Sequence, residues 1–124
     1  MKIMHILPSP SAGGAEVFVR DLSVGLIKKS CEVVIVFISR SEDLNRTVDF
    51  QEDFLIFLTK YNIEYYFLGH DCRRNFIKGN KRFKKIYNMT QPQIVHCHLY
   101  LGILLSLSVK TCRIYTHHSI KLKI

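Results

Sequence analysis

The amino-acid sequence predicts an α/β protein: an open parallel sheet of about five strands in the order 3-2-1-4-5, with helices on both faces. Three observations carry this. Residues 1–29 read as a short apolar strand, a Pro/Ser/Gly loop and a long amphipathic helix. Val33-Val34-Ile35-Val36-Phe37-Ile38 is apolar throughout, as a strand covered on both faces must be. Strand-like and helix-like periods alternate along the whole chain, the pattern of parallel strands joined by helical crossovers. The 124 residues suffice for one domain with its own core, spanning 1–124.

Each element has its own signal. The first strand spans 2–7 and stops at Pro8. The first helix covers about 14–29, where Ala15, Phe18, Val19, Leu22 and Leu26 recur at helical spacing. Lys28 and Lys29 suit the negative end of its dipole. The second strand is 32–38. Residues 39–49 are polar and expected to form a loop. The second helix is about 50–60, and the third strand is 63–68, ended by Gly69. In a third helix at about 75–88, Phe76, Phe83, Ile86 and Tyr87 form an apolar stripe that breaks at Gly79-Asn80. Gln91-Pro92-Gln93 leads into the fourth strand, 94–97. A helix at about 101–110 and a strand at 113–116 follow.

This strand order makes the first and fourth strands neighbours, with the topology reversing between them. Ligands of open α/β sheets bind outside the carboxyl ends of the strands at such a switch point. The loops there are 8–14 and 98–102, with 117–119 beside them. Gly13, Gly14, His98, His117 and His118 are therefore expected on one rim. Gly13 and Gly14 permit positive φ and close approach of backbone to a ligand. His96 and His98 share a strand face, and His98 stands at the strand's carboxyl end. Thr116-His117-His118-Ser119 reads equally as a polar loop or as the wall of a pocket for a hydroxylated substrate.

Several site classes are excluded or disfavoured. There is no G-x-G-x-x-G, and Ser39-Arg40 stands where a dinucleotide fold carries an acid, which disfavours a nucleotide-dependent oxidoreductase. There is no G-K-[ST], so the loop is not a P-loop. His96, His98, Cys112, His117 and His118 are zinc-type ligands at no recognised spacing, and no metal is expected. Cys31, Cys72, Cys97 and Cys112 form no C-x-x-C, and no disulfide framework is expected. The apolar N-terminal run is too short for a signal peptide. The longest membrane candidate, 99–109, is too short to span. A soluble, cytoplasmic chain is the expectation.

Charge is segregated. Residues 1–71 hold ten acids and seven Lys/Arg, net −3, whereas residues 72–124 hold eleven Lys/Arg and no acid, net +11. The densest stretch is Arg73, Arg74, Lys78, Lys81, Arg82, Lys84 and Lys85. It reads either as a solvated face or as a surface docking to an anionic bilayer, with Phe76, Phe83 and Tyr87 inserting beside the lysines. No aromatic RNA-recognition motif accompanies it, and no nucleic-acid partner is expected.

The residues "MKIMHILPSPSAGGAEVFVRDLSVGL", "PQIVHCHLYLGILLSLSV" and "RIYTHHSI" resemble three motifs of the N-terminal domain of retaining GT-B glycosyltransferases of family 4. They stand in the family's order and cover nearly the whole chain. They correspond to its Gly-Gly-Ala-Glu loop, its H-x-H strand and its following strand. The resemblance implies a Rossmann-like domain that transfers a sugar from a nucleotide-sugar donor to a saccharide or lipid-linked acceptor with retention. The nucleotide-sugar would be a substrate, and no tightly bound cofactor is implied.

Residue by residue, the resemblance carries His98 over as the catalytic-centre histidine contacting the donor sugar. Gly13, Gly14 and Glu16 become substrate-binding, with His117 and His118 on the pocket loop. It also raises the reading of the 73–87 patch as a peripheral anchor on the inner face of the membrane. The family's Gly-His before the second strand is Ser30-Cys31 here, a departure at a structural position. The second, nucleotide-binding domain and its E-x7-E motif have no counterpart in these residues, nor do the last elements of the first domain. The 124 residues alone are thus expected to be an inactive, incomplete GT-B half: a fragment, a truncated frame or a subunit of a split enzyme. The rival expectation is a non-enzymatic or partner-dependent α/β binding module.

Overall fold

Five parallel strands form one sheet in the order β3-β2-β1-β4-β5. They are β1 (Lys2–Leu7), β2 (Glu32–Phe37), β3 (Glu64–Phe67), β4 (Ile94–Cys97) and β5 (Cys112–Tyr115). The helices are α1 (Gly14–Lys28), α2 (Asp49–Lys60), α3 (Phe76–Thr90) and α4 (Tyr100–Leu105), with short 3-10 turns at Glu42–Leu44 and His70–Arg73. This is a computed structural model, and it describes residues 1–11 and 13–116.

Alternation along the strands sorts side chains onto two faces. Met4, Ile6, Val34, Val36, Val95 and Cys97 pack on one face with Phe83 and Ile86 of α3 and Leu105 of α4. Leu7, Val33, Ile35 and Phe37 pack on the other with Val19 of α1 and Phe54 and Leu58 of α2. Both faces of β2 are therefore covered, which is why its sequence is apolar without a break. The register of β1 on β4 sets His5 opposite His96 and Ile6 opposite Cys97.

The third helix runs unbroken, as expected, through Gly79-Asn80, where its apolar stripe is interrupted. Gly79 is buried, and a Cβ there would overlap Leu105 Cδ2 of α4. Asn80 Nδ2 donates to the carbonyls of Phe76 (2.8 Å) and Leu104 (3.0 Å). Asn80 Oδ1 accepts from the Ser108 amide at 2.9 Å. The two residues are the contact at which α3 meets α4 and its exit. That fourth helix is shorter than its apolar run implied. Arg113, reaching back from β5, donates to the carbonyls of Ser106 and Val109 beyond the helix end. The polar stretch 39–49 is not wholly irregular, since it holds the Glu42–Leu44 turn.

Two helices end in the same way. Beyond α1, the Ser30 amide bonds Ile27 O and the Cys31 amide bonds Leu26 O, both at 2.9 Å. Beyond α2, the Asn62 amide bonds Thr59 O and the Ile63 amide bonds Leu58 O. These are Schellman closures, and their left-handed residues are Ser30 (φ 64°) and Asn62 (φ 57°).

Candidate functional site

The carboxyl ends of β1 and β4 lie side by side and carry the loops the sequence singled out. Gly13 is the N-cap of α1, with φ −165° and ψ 167°. That is extended backbone open to any residue. Gly69 is the only glycine with positive φ among the described residues, so the conformational reason expected for Gly13 and Gly14 does not hold. A Cβ at Gly13 would meet Glu16 Oε1, the end of that side chain, which would have to shift to make room. At Gly14 a Cβ would meet nothing within 4 Å.

Glu16 is only 4% exposed. Its carboxylate sits over the first turn of α1, beside Gly13. Burial raises its pKa above the usual carboxylate range, against the opposing pull of a backbone hydrogen bond at its own residue and of the Arg46 charge. The chain's own carboxylate thus sits at the positive end of this helix, the position an anion would otherwise favour. The open side of the loop is at Gly14.

A chain of buried hydroxyls holds the loop in place. Ser9 Oγ lies 2.7 Å from Ser11 Oγ, which lies 2.9 Å from Ser41 Oγ. Ser41 Oγ also donates to Pro10 O, and the Ser41 amide donates to Gln51 Oε1. Next to this chain, Arg73 Nε donates to Ser39 Oγ at 2.8 Å and Arg73 Nη2 to Pro8 O at 3.3 Å. Ser39 Oγ in turn lies 2.9 Å from His70 Nδ1. Arg73 therefore braces the rim and is drawn away from the surface patch to which the sequence assigned it.

Three imidazoles cluster between β1 and β4. His5, His96 and His98 are 0%, 9% and 4% exposed. The rings of His96 and His98 stack with centroids 3.9 Å apart, and each lies 5.1 Å from the His5 ring. His5 Nδ1 is 2.9 Å from His98 Nε2. His96 Nε2 is 2.6 Å from Thr116 Oγ1, and the Phe18 and His98 rings meet at 62° with centroids 6.2 Å apart. Burial, with a smaller contribution from His96, pushes the His5 pKa down to about 3. One nitrogen from each ring lies within 4.8 Å of the others. The 2.9 Å His5–His98 contact is hydrogen-bond length. His5 was missed in the sequence because it stands inside an apolar run, 93 residues from its partner.

The basic stretch divides into three roles. Lys78 Nζ and Arg82 Nη1 pair with Asp71 at 3.1 and 2.8 Å, and Arg82 also donates to Leu68 O. Hydrogen bonds from Arg82 and then Lys78 hold the Asp71 carboxyl below its usual range. Arg73 serves the rim, with exposed Arg74 beside it. Lys81 and Lys84 line an open groove with Phe76, Ile77 and Leu107, three of the exposed large apolar side chains. Lys85 is exposed on the same helix. Phe83, expected to insert into lipid, is fully buried in the core, and Tyr87 packs against it. His117 and His118 lie outside the described residues. No helix among the described residues is long and apolar enough to cross a membrane.

Residues 12–122 match the family described as Glycosyltransferase Family 4. No curated protein and no solved structure matches the chain.

Proposed function

Since the chain belongs to glycosyltransferase family 4, we propose that it is the acceptor-side half of a GT-B enzyme. That enzyme moves a sugar from a nucleotide-sugar donor to a saccharide or lipid-linked acceptor, with retention. One observation carries the reading. β1 and β4 are neighbours, so the Gly13-Gly14 loop and His98 share the rim where open α/β sheets take their ligands. His98 is the residue proposed to meet the donor sugar. Gly14 offers the open approach for the acceptor, with Gly13 and Glu16 shaping the wall beneath it. His117 and His118 are proposed for the same wall.

The donor bond breaks as a nucleoside diphosphate leaves, and groups that stabilise that leaving charge supply much of the lowering of the barrier. The family's E-x7-E motif does not occur in these 124 residues. A polypeptide of these residues is therefore expected to hold acceptor without transferring sugar. Turnover requires a nucleotide-binding half, from further chain or from a partner subunit.

The test is nucleoside diphosphate release by the longest polypeptide the coding region yields, over a panel of nucleotide-sugars with a saccharide acceptor. His98→Ala is expected to lower kcat/KM by about 100-fold or more, the usual effect of losing a group that stabilises the transition state. Unchanged turnover removes His98 from the site. Transfer by the 124-residue polypeptide alone overturns the half-site reading.

The groove of Phe76, Ile77, Leu107, Lys81 and Lys84 favours a second role for the same domain. Apolar side chains flanked by lysines fit an anionic bilayer surface. We propose that the domain is cytoplasmic and docks peripherally on the inner face of the membrane, through this groove and without Phe83.

A further inference from the structure

We propose that His70, Arg73 and Arg74, with Arg46 from the loop after β2, form an anion subsite that holds a phosphate group carried by the acceptor. The inference starts from a cation without a counter-ion. Arg73 is half-buried, and both of its hydrogen-bond partners are neutral: Nε donates to Ser39 Oγ at 2.8 Å and Nη2 to Pro8 O at 3.3 Å. Among the described residues no carboxylate forms an ion pair with Arg46, Arg73 or Arg74. A charge drawn out of water without a partner is costly, and an anion at its free edge offsets that cost. The Arg46 amide bonds Ser41 O at 3.0 Å, which closes its loop beside the same rim. Burial, and after it the Arg46 charge, push the Arg73 pKa down. The chain thus keeps two guanidiniums in mutual repulsion, which a bound anion relieves.

The acids nearby are engaged elsewhere. Asp71 pairs with Lys78 and Arg82, Asp43 accepts from the Arg40 amide, and Glu42 accepts from Gln51 Nε2. Glu16, which the Arg46 charge also reaches, is buried at α1, and that burial raises its pKa.

The donors face an open pocket of about 410 Å³, lined by His70, Asp71, Arg73 and Arg74. A guanidinium has five N–H groups in a fixed fork, so Arg73 can brace the rim through Nε and Nη2 and still offer Nη1. The same bonds orient His70. Arg73 Nε can only donate, so Ser39 Oγ accepts from it. Ser39 is 1% exposed, and its hydroxyl proton goes to His70 Nδ1, 2.9 Å away. A neutral His70 therefore carries its own proton on Nε2, and its exposed ring presents a further N–H. Several N–H donors at one place suit the several oxygens of a phosphate. Pro8 links this pocket to the glycine loop, so the anion lies beside the approach at Gly14. That the phosphate belongs to the acceptor rests on the reading of the rim given under Proposed function.

The experiment titrates the 15N-labelled 124-residue chain at neutral pH with inorganic pyrophosphate, glucose 1-phosphate and methyl glucoside. It follows the arginine Nε–H and histidine ring signals, assigned by loss in Arg73→Lys and His70→Asn. Saturable shifts of the Arg73 and His70 signals are expected with both phosphates and not with methyl glucoside. The double variant Arg46→Gln with Arg74→Gln is expected to bind both phosphates about 10-fold more weakly or worse, as when charge-assisted hydrogen bonds are lost. Both side chains are exposed and make no ion pair or hydrogen bond among the described residues, so this variant decides even where Arg73→Lys does not fold. Absence of a saturable shift overturns the subsite, and so does unchanged affinity in the double variant. Vesicles containing phosphatidic acid are the last arm: shifts with vesicles and none with glucose 1-phosphate would assign the site to a bilayer and overturn the acceptor phosphate. Sugar transfer is not the readout, so failure here and failure of the enzymatic reading are separately visible.

Discussion

A single buried imidazole ties the stability of this protein to pH. The His5 pKa is about 3 in the folded chain, against 6.5 for an ordinary histidine, chiefly because burial disfavours its charged form. The groups facing it across β1 and β4 are His96 and His98. The unfolded chain binds this proton below pH 6.5, and the folded chain does not until about pH 3. The contribution is thus complete above pH 6.5 and is lost progressively as pH falls through that window. The slope is about 1.4 kcal/mol per pH unit for one proton. Urea unfolding of the wild-type chain is expected to lose about 2 kcal/mol through His5 between pH 6.5 and pH 5. In His5→Asn that part of the pH dependence should be missing, and equal slopes in the two proteins would remove His5 as its source. Histidine at position 5 also shows what a sequence conceals. Strand alternation and the neighbouring of the first and fourth strands are enough to set His5, His96 and His98 on one face. Within an apolar run, however, one polar residue reads as an exception and not as a partner.

At the scale of elements, the end of α1 carries a correctable cost. Ser30 occupies the left-handed position of a Schellman closure, where glycine has no Cβ penalty and a non-glycine residue loses roughly 1 kcal/mol. Ser30→Gly is expected to raise unfolding stability by about that amount, read as a higher thermal midpoint. No gain, or a fall, would mean that the Ser30 side chain contributes more than its backbone strain. This gives a physical reason for the glycine common in the family at this position. The strands β1, β2 and β4 were legible because each is a short, largely apolar run bounded by proline, glycine or polar residues. The stop of α4 was not. Its apolar run continues past Leu105, and the carbonyls beyond it are met by Arg113 from another strand. The interruption of the α3 apolar stripe at Gly79-Asn80 was legible, but its use was not, because only the approach of α4 supplies it. At the rim, the Gly-Gly-Ala-Glu segment was located by sequence, but the burial of Glu16 against Gly13 was not, because a carboxylate usually faces water.

For the whole molecule, docking through the Lys81–Lys84 groove is open to a direct measurement. Binding to vesicles rich in anionic lipid is expected to exceed binding to neutral vesicles and to weaken as salt rises. Reversing both charges, in Lys81→Glu with Lys84→Glu, is expected to cost at least about 10-fold in apparent affinity, since each lysine near such a surface is worth about 1 kcal/mol. Equal binding to both vesicle types would sink the docking reading. Another property does not depend on any single groove. The acid-bearing residues 1–71 build β1, β2, β3, α1 and α2, and the acid-free remainder supplies α3, β4, α4 and β5. Along the chain the sign changes after β3, and in the sheet the two segments meet where the topology reverses, between β1 and β4. The domain is consequently an electric dipole whose axis runs across the strands. In the field above a negatively charged surface, such a body feels a torque before it feels a contact. It turns its β4–β5 end forward while still a Debye length away, and the encounter begins with the molecule already oriented.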